Sequence, residues 1–155
     1  MQCEGLSVRA KTIRIQWDKP KQIDEVIDCL PDNAIGLYYI TRICRGKETS
    51  LYIGESVSSI KGRLLSHKSW VHGYSRSEIY VRIGRIVYPK QEVENAILHA
   101  EKALIFEHGQ YGTGILIENT VSTASYSYTD VFKIINEGDY FELKPEVDMR
   151  EHEEA

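Results

Sequence analysis

The segments GLYYI at Gly36 to Ile40 and LYIGES at Leu51 to Ser56 decide the fold of this chain. Tyrosine, isoleucine and other residues that favour strands dominate both segments. The charged stretch Arg45 to Thr49 lies between them and contains a glycine, which favours a turn. We therefore predict a β-hairpin whose strands are Ile35 to Cys44 and Ser50 to Gly54.

The rest of the chain has the hydrophobic spacing of a single α+β domain. Apolar residues recur at helical spacing in three stretches and alternate with polar residues in two others, which predicts helices and strands respectively. The predicted helices are Gln22 to Leu30, Ile60 to Trp70 and Gln91 to Glu107, and the predicted strands are Thr12 to Trp17 and Ile79 to Tyr88. A length of 155 residues suits one domain with a hydrophobic core.

The charge is distributed unevenly along the chain. The net charge is -4, but residues 1–90 carry 15 lysines and arginines against 9 acidic residues, whereas residues 91–155 carry 4 against 14. The segment Lys61 to Arg85 holds six cations and one anion, with aromatic residues between them. This composition is typical of a phosphate-binding face, although a solvated basic surface has it too. The predicted DNA-binding residues are Lys61, Lys68, Arg76 and Arg82.

The cysteines and the apolar runs limit the cellular setting. Cys3, Cys29 and Cys44 are odd in number and form no Cys-x-x-Cys pair, so we expect neither a disulfide framework nor a structural zinc site. A reducing, cytoplasmic location is the default for such a chain. The apolar runs are too short for a membrane span or a secretory signal, so we expect no membrane partner.

Glu101 is the most informative single residue. Its neighbours at helical spacing are large aliphatic residues, namely Ile97, Leu98, Leu104 and Ile105. A carboxylate in a core-facing stripe is costly unless it binds a metal, an arginine or a set of hydrogen-bond donors, or stays protonated. The residues alone leave two interpretations open, a metal ligand and a glutamate paired with a buried arginine or backbone amide.

Arg63 and His67 are four residues apart, so they share one face of the predicted helix. A guanidinium offers a fork of donors that suits phosphodiester oxygens, and an imidazole can bind phosphate or transfer a proton near neutral pH. Exposed helices often carry such a pair without any function. Tyr38 and Tyr52 are equally ambiguous, because strand tyrosines commonly serve packing, but beside a metal-bound water a phenol can orient or deprotonate the nucleophile.

Five segments occur in the order in which GIY-YIG nucleases have them. They are GLYYI, LYIGES, KGRLLSH with Arg63, AEKALI with Glu101, and the stretch ILIEN that ends at Asn119. From about Ile35 to Asn119, a little over half of the chain, the sequence resembles the GIY-YIG nuclease family.

The resemblance implies roles for the residues in the first three segments. Tyr38 and Tyr52 would be the two active-site tyrosines, one of which activates the attacking water. Arg63 would hold the scissile phosphate, and His67 would assist near it.

The later segments complete the implied site and contain the departures from the family. Glu101 would bind one divalent cation, Mg²⁺ or Mn²⁺, and Asn119 would brace the site through hydrogen bonds. Glu55 directly follows the YIG tripeptide, where a small or basic residue is commoner in the family. The stretch between Gly54 and Arg63 is also one residue longer than in the usual members.

The family fold implies an α+β domain with a small central antiparallel sheet of about three strands flanked by helices. We assign this nuclease domain to residues 35–145. Residues 1–34 are expected to form an N-terminal strand and helix that pack on the core. Residues 146–155 are expected to form an acidic, disordered tail.

The sequence thus predicts a metal-dependent DNA endonuclease that hydrolyses a phosphodiester bond by water attack and leaves a 5′-phosphate. The alternative is a catalytically inactive nucleic-acid-binding or protein-interaction module on the same fold. The chain has no recognisable DNA-reading motif, so target choice would come from other residues, a separate specificity partner or a homodimer.

Overall fold

The computed structural model describes residues 11–74, 77–110, 112–119 and 132–149. Within these ranges the chain forms seven strands and three helices. The strands are β1 (Lys11–Trp17), β2 (Lys21–Gln22), β3 (Gly36–Cys44), β4 (Lys47–Ser56), β5 (Glu78–Tyr88), β6 (Phe132–Gly138) and β7 (Glu146–Asp148), and the helices are α1 (Ile23–Cys29), α2 (Ile60–Val71) and α3 (Val93–His108).

All seven strands belong to one mixed sheet that curls into a half-barrel. The strand order is β4-β3-β5-β1-β6-β7, and β2 pairs with β5. Neighbouring strands are antiparallel except β1 and β6, which run parallel. The predicted small antiparallel sheet of about three strands is therefore wrong. Strands β4, β3 and β5 are antiparallel to one another, but they make only one side of a larger sheet.

The individual elements follow the hydrophobic pattern closely. The structure confirms the predicted hairpin, the three predicted helices and the strand that ends at Tyr88, with boundaries that differ by one to three residues at most ends. Strand β1 lies in the middle of the sheet between β5 and β6, so the N-terminal segment is built into the core. Strand β7 falls where the sequence predicts a disordered tail, and residues 150–155 of that tail lie outside the described residues.

The hairpin of β3 and β4 closes through a two-residue turn. Arg45 and Gly46 connect the strands and have φ angles of 55° and 79°. Positive φ at both positions is the geometry of a type I′ turn, whose twist matches that of the strands it joins. The turn sets the register as far as Thr41, which lies opposite Ser50. A shift of one residue between Thr41 and Ile40 then places Ile40 opposite Tyr52 and Tyr38 opposite Gly54.

Two hydrophobic clusters cover the two faces of the sheet. One lies under α3 and includes Leu37, Tyr39 and Ile53 of the hairpin. The other lies under α1 and α2 and includes Tyr38 and Ile40. Successive residues of a strand point to opposite faces, so strand β3 supplies both clusters. Strand β4 is an edge strand of the sheet. Side chains from α2 on one face and from α3 on the other can therefore approach each other around this edge.

Two further expectations concern the setting of the chain. Cys29 and Cys44 are both free, whereas Cys3 lies outside the described residues. No helix in the described part of the chain is long and apolar enough to cross a membrane.

Candidate active site

Side chains from four elements converge beside strand β4. Tyr38 comes from β3, Tyr52 from β4, and Arg63 and His67 from α2. Ring contacts and a hydrogen bond join Tyr38, Tyr52 and His67. The charge of Glu101 on α3 influences both tyrosines, which places it at the same site.

The glycine of LYIGES makes room for the first tyrosine. The Tyr38 ring lies directly against the backbone of Gly54, and a Cβ atom built there would be 2.3 Å from the tyrosine hydroxyl. Heavy atoms that are not bonded cannot approach so closely, so any larger residue would displace the ring. Gly54 is thus part of the local geometry that positions Tyr38.

Helix α2 begins where the sequence predicts a cap. The Ser59 hydroxyl accepts a hydrogen bond from the backbone N–H of Gly62 at 3.0 Å, which satisfies one free donor of the first turn. Ile60 and Leu64 are buried and hold the helix against the sheet. This orientation directs His67, which is also buried, towards the two tyrosines.

His67 makes a hydrogen bond through each ring nitrogen. The indole Nε1 of Trp70 donates to His67 Nδ1 at 2.7 Å, and His67 Nε2 lies 2.8 Å from the Tyr38 hydroxyl. Burial, together with the nearby charge of Arg63, lowers the pKa of His67 from 6.5 to about 4. His67 is therefore neutral at physiological pH.

The two tyrosines differ in their access to solvent. Tyr38 has no exposed surface, whereas Tyr52 is partly exposed. Burial raises the pKa of both phenols above 10, although Arg63 opposes this rise at each of them. The neighbouring hydroxyl of Tyr38 also lowers the pKa of Tyr52. Both phenols are thus protonated at rest, and Tyr52 is the one that faces solvent.

Arg63 is exposed at the mouth of the site. The neighbouring Tyr38 is the main reason that the pKa of Arg63 is raised. Within the described ranges, no carboxylate lies within ion-pair distance of Arg63. Most of its donors therefore remain available for a bound anion.

Glu101 is partly buried near the edge of the apolar stripe of α3. Ile97 and Leu104 beside it are fully buried, but Leu98 is 38% exposed, so the stripe is narrower than predicted. Burial and then the like charge of Glu55 raise the pKa of Glu101 from 4.5 to about 7. The charge of Arg63 lowers this pKa but does not offset the rise. Glu101 is therefore close to half-ionised at neutral pH.

Glu55 faces the same side of the sheet as Glu101. It lies two residues after Ile53, which packs in the cluster under α3, so both side chains point to that face. The Oε2 atom of Glu55 is buried and has no hydrogen-bond partner. A buried carboxylate oxygen without a hydrogen-bond partner is costly.

The carboxylates of Glu55 and Glu101 are too few for a metal whose ligands all come from protein, but they are enough for a magnesium ion. No group of three or more potential metal-binding side chains exists among the described residues. Mg²⁺ typically binds one or two carboxylates and takes its remaining ligands from water and substrate phosphate. Glu101 and the unpartnered oxygen of Glu55 match that pattern of donors.

Asn119 braces the outer edge of strand β4. Its side-chain oxygen accepts from the Ile53 N–H and its side-chain nitrogen donates to the Ile53 carbonyl, both at 2.9 Å. The backbone N–H of Glu118 donates to the Leu51 carbonyl at 2.8 Å. These bonds satisfy backbone groups on the outer side of β4, immediately before the glycine that accommodates Tyr38.

The predicted DNA-binding residues have three different outcomes. Lys61 and Lys68 lie on α2 with Arg63 and form surface ion pairs with aspartates of the α1 region. Arg76 lies outside the described residues. Arg82 is 3% exposed and donates to Glu48 at 2.5 Å and to Asp139 at 3.1 Å.

The prediction that Arg82 binds DNA is therefore wrong. Two carboxylates already use its donors, and its guanidinium lies over the rings of Tyr39 and Phe141. A cation held inside the fold in this way supports packing of the hairpin against the segment after β6. It offers no charge to a phosphate at the surface.

The sequence interpretation missed two residues of the site. Trp70 follows His67 by three positions, a spacing that places both on one helix face, and this spacing is the signal that was available. Glu55 was noted only as a departure from the family pattern. Its position two residues after Ile53 along β4 was the signal that both side chains face α3.

Comparisons with models of protein families, with curated proteins and with solved structures give no match.

Proposed function

We propose that this protein is a metal-dependent DNA endonuclease of the GIY-YIG type, which hydrolyses a phosphodiester bond by water attack. The observation that carries the proposal is the convergence of Tyr38, Tyr52, Arg63, His67 and Glu101 at one end of strand β4. These residues are separated by up to 63 positions in the sequence. A phosphate-binding cation, phenols and a carboxylate together form a set suited to phosphoryl transfer.

Arg63 would bind the scissile phosphate. Its guanidinium is exposed and free of carboxylate partners among the described residues, so a phosphodiester can reach it without breaking an ion pair. A fork of N–H donors matches two phosphate oxygens and stabilises the negative charge that develops on them during attack.

Tyr52 would contact the attacking water, because Tyr52 is partly exposed whereas Tyr38 is fully buried. Tyr38 and Arg63 both lower the pKa of Tyr52, so they would stabilise its phenolate. His67 is neutral and hydrogen-bonded on both nitrogens, so it supports Tyr38 and does not take up the proton from water. Tyr38 links His67 to Tyr52.

Glu101 and Glu55 would hold one Mg²⁺ or Mn²⁺. Such an ion supplies Lewis-acid stabilisation of phosphate oxygens and lowers the pKa of a bound water. Glu101 must be ionised to bind it, and its pKa of about 7 makes that ionisation sensitive to pH in the neutral range. A cation there would also provide the missing partner for Glu55 Oε2.

Helix α2 supports DNA as the substrate. Lys61 and Lys68 are partly exposed and share this helix with Arg63, so positive charge continues beyond the phosphate that would be cleaved. Their aspartate partners are largely exposed, and such surface pairs are weak enough to exchange for phosphate contacts. A cytoplasmic location and a separate specificity partner or homodimer remain parts of the proposal.

Cleavage and binding assays on a panel of DNAs test this function. We expect Mg²⁺-dependent cleavage of supercoiled, branched or single-stranded DNA by the wild-type protein and none in excess EDTA. Glu101→Ala should bind the same DNA and fail to cut it. Binding of DNA without cleavage of any member of the panel would favour the non-catalytic module.

A further inference from the structure

Trp70 donates a hydrogen bond whose direction is fixed by chemistry. An indole N–H can only donate, whereas each nitrogen of histidine and each tyrosine hydroxyl can donate or accept. The indole Nε1 is 2.7 Å from His67 Nδ1, so this nitrogen must present its lone pair. The proton of neutral His67 must then sit on Nε2.

That assignment fixes the next hydrogen bond. His67 Nε2 lies 2.8 Å from the Tyr38 oxygen, so the imidazole donates and Tyr38 accepts. The Tyr38 proton is then free to point away from His67, and the Tyr52 ring stacks beside that of Tyr38. The centroids of the two tyrosine rings are 6.1 Å apart and the rings are inclined by 22°.

We propose that Trp70 is a positioning residue that locks His67 in the Nε2–H tautomer and thereby directs hydrogen-bond donation from Trp70 through His67 and Tyr38 to Tyr52. Its catalytic consequence rests on the proposed nuclease function, whereas the tautomer itself does not. In the opposite tautomer, Tyr38 would donate back to His67 and would offer no proton to Tyr52.

Within the part of the chain that the structure describes, no other group around His67 would set its tautomer. Tyr38 of β3 and Tyr52 of β4 lie against the imidazole, and Arg63 and Trp70 flank it on α2. Arg63 is a cation and disfavours protonation of the ring without choosing between its nitrogens. Among the described residues, Trp70 alone contacts Nδ1.

The nitrogen chemical shifts of His67 test the tautomer in the intact protein. At pH 7 we expect Nδ1 to show the shift of an unprotonated nitrogen and Nε2 that of a protonated one. A protonated Nδ1 in the wild-type protein would overturn the proposal. This spectrum requires neither DNA nor activity, so it stands even if the protein cleaves nothing.

Trp70→Phe tests the role of the N–H while keeping an aromatic ring between Tyr52 and Tyr74. Loss of a hydrogen bond to the neutral imidazole should raise the midpoint of the His67 titration by about one pH unit. Turnover should fall about tenfold with little change in the apparent substrate constant, because Arg63 is intact. An unchanged His67 titration would refute the role assigned to Trp70.

Tyr74→Phe is the matched control. The Tyr74 ring touches that of Trp70, and its hydroxyl donates to Glu118, so the change alters the neighbour of Trp70 but leaves the indole N–H in place. We expect the His67 titration to stay at its wild-type midpoint. A shift equal to that of Trp70→Phe would mean that packing, and not the indole donor, controls His67.

Discussion

Replacing Glu101 with glutamine should stabilise the metal-free protein at alkaline pH. The folded state raises the pKa of Glu101 from 4.5 to about 7 through burial and the nearby charge of Glu55. Because each pKa unit corresponds to about 1.4 kcal/mol, the ionised carboxylate costs the folded state about 3 kcal/mol. Glutamine keeps the size of the side chain and removes that charge.

The sign of the pH dependence follows from proton binding. Between about pH 4.5 and pH 7 the folded state holds the Glu101 proton and the unfolded state does not, so this residue makes stability fall as pH rises. Glu101→Gln should therefore match wild type near pH 4 and exceed it by about 3 kcal/mol at pH 8. DNA cleavage should show the opposite trend and increase as Glu101 ionises through pH 7.

Urea denaturation at pH 4.5 and pH 8 in EDTA, followed by tryptophan fluorescence, measures the difference. Glu94→Gln is the control, because Glu94 is exposed on the same helix. Loss of its charge from the first turn should lower stability by at most about 1 kcal/mol, with no gain at pH 8. A Glu101→Gln protein that is less stable than wild type at pH 8 would show that the carboxylate already has a favourable partner. The metal-ligand role would then lose its physical basis.

Three further predictions concern the tyrosines, the glycine and the basic helix. Tyr38→Phe and Tyr52→Phe should each lower kcat about 100-fold. Tyr38→Phe should also lower the free energy of unfolding by about 1–3 kcal/mol, because it leaves buried His67 without a hydrogen-bond acceptor. Gly54→Ala should destabilise the fold by about 1–3 kcal/mol, measured in urea, because its Cβ meets the Tyr38 ring. Neutralising Lys61 and Lys68 together should reduce the slope of log binding constant against log salt by up to about 1.8, measured by DNA titration.

Each of these predictions has a control variant or an outcome that would contradict it. Gly62→Ala in α2 meets only ordinary contacts and should be neutral or stabilising, so equal losses at both glycines would refute the steric argument. Lys133→Ala on distant β6 should leave the salt slope unchanged. Wild-type turnover in both tyrosine variants would reduce these residues to a packing role.

The hairpin and the helices were predictable because their signals are local. Alternation and helical spacing predict the type of each element, and GLYYI with LYIGES predicts the pairing of β3 with β4. The convergence of the tyrosines with Arg63 and His67 follows from that pairing and from the start of α2. These parts of the structure depend on contacts between segments that are close in sequence.

The size of the sheet was not predictable from local pattern. Strand β6 includes Lys133, Asn136 and Glu137. Asn136 is buried, and Trp17, 119 residues away, donates to its side-chain oxygen at 2.8 Å. A polar residue at a buried position interrupts the apolar–polar alternation by which a strand is recognised in the sequence. Strand β6 also joins β1 in parallel, and the two strands are connected by most of the chain.

The error at Arg82 has the same cause. Its partners Glu48 and Asp139 are 34 and 57 residues away, so the sequence shows a cation in a basic segment and not an ion pair inside the fold. The residues that bury a charge must be known before its availability can be judged.

Cleavage of supercoiled plasmid by wild type and Arg63→Ala under single-turnover conditions tests the central claim most directly. Arg63 is exposed, so its removal should not disturb the fold, and unfolding curves provide that check. We predict Mg²⁺-dependent nicking by wild type and a rate at least about 100-fold lower for Arg63→Ala, since the variant loses the donors aimed at the phosphate. Equal rates for the two proteins, or no nicking by wild type on any DNA tested, would contradict the account.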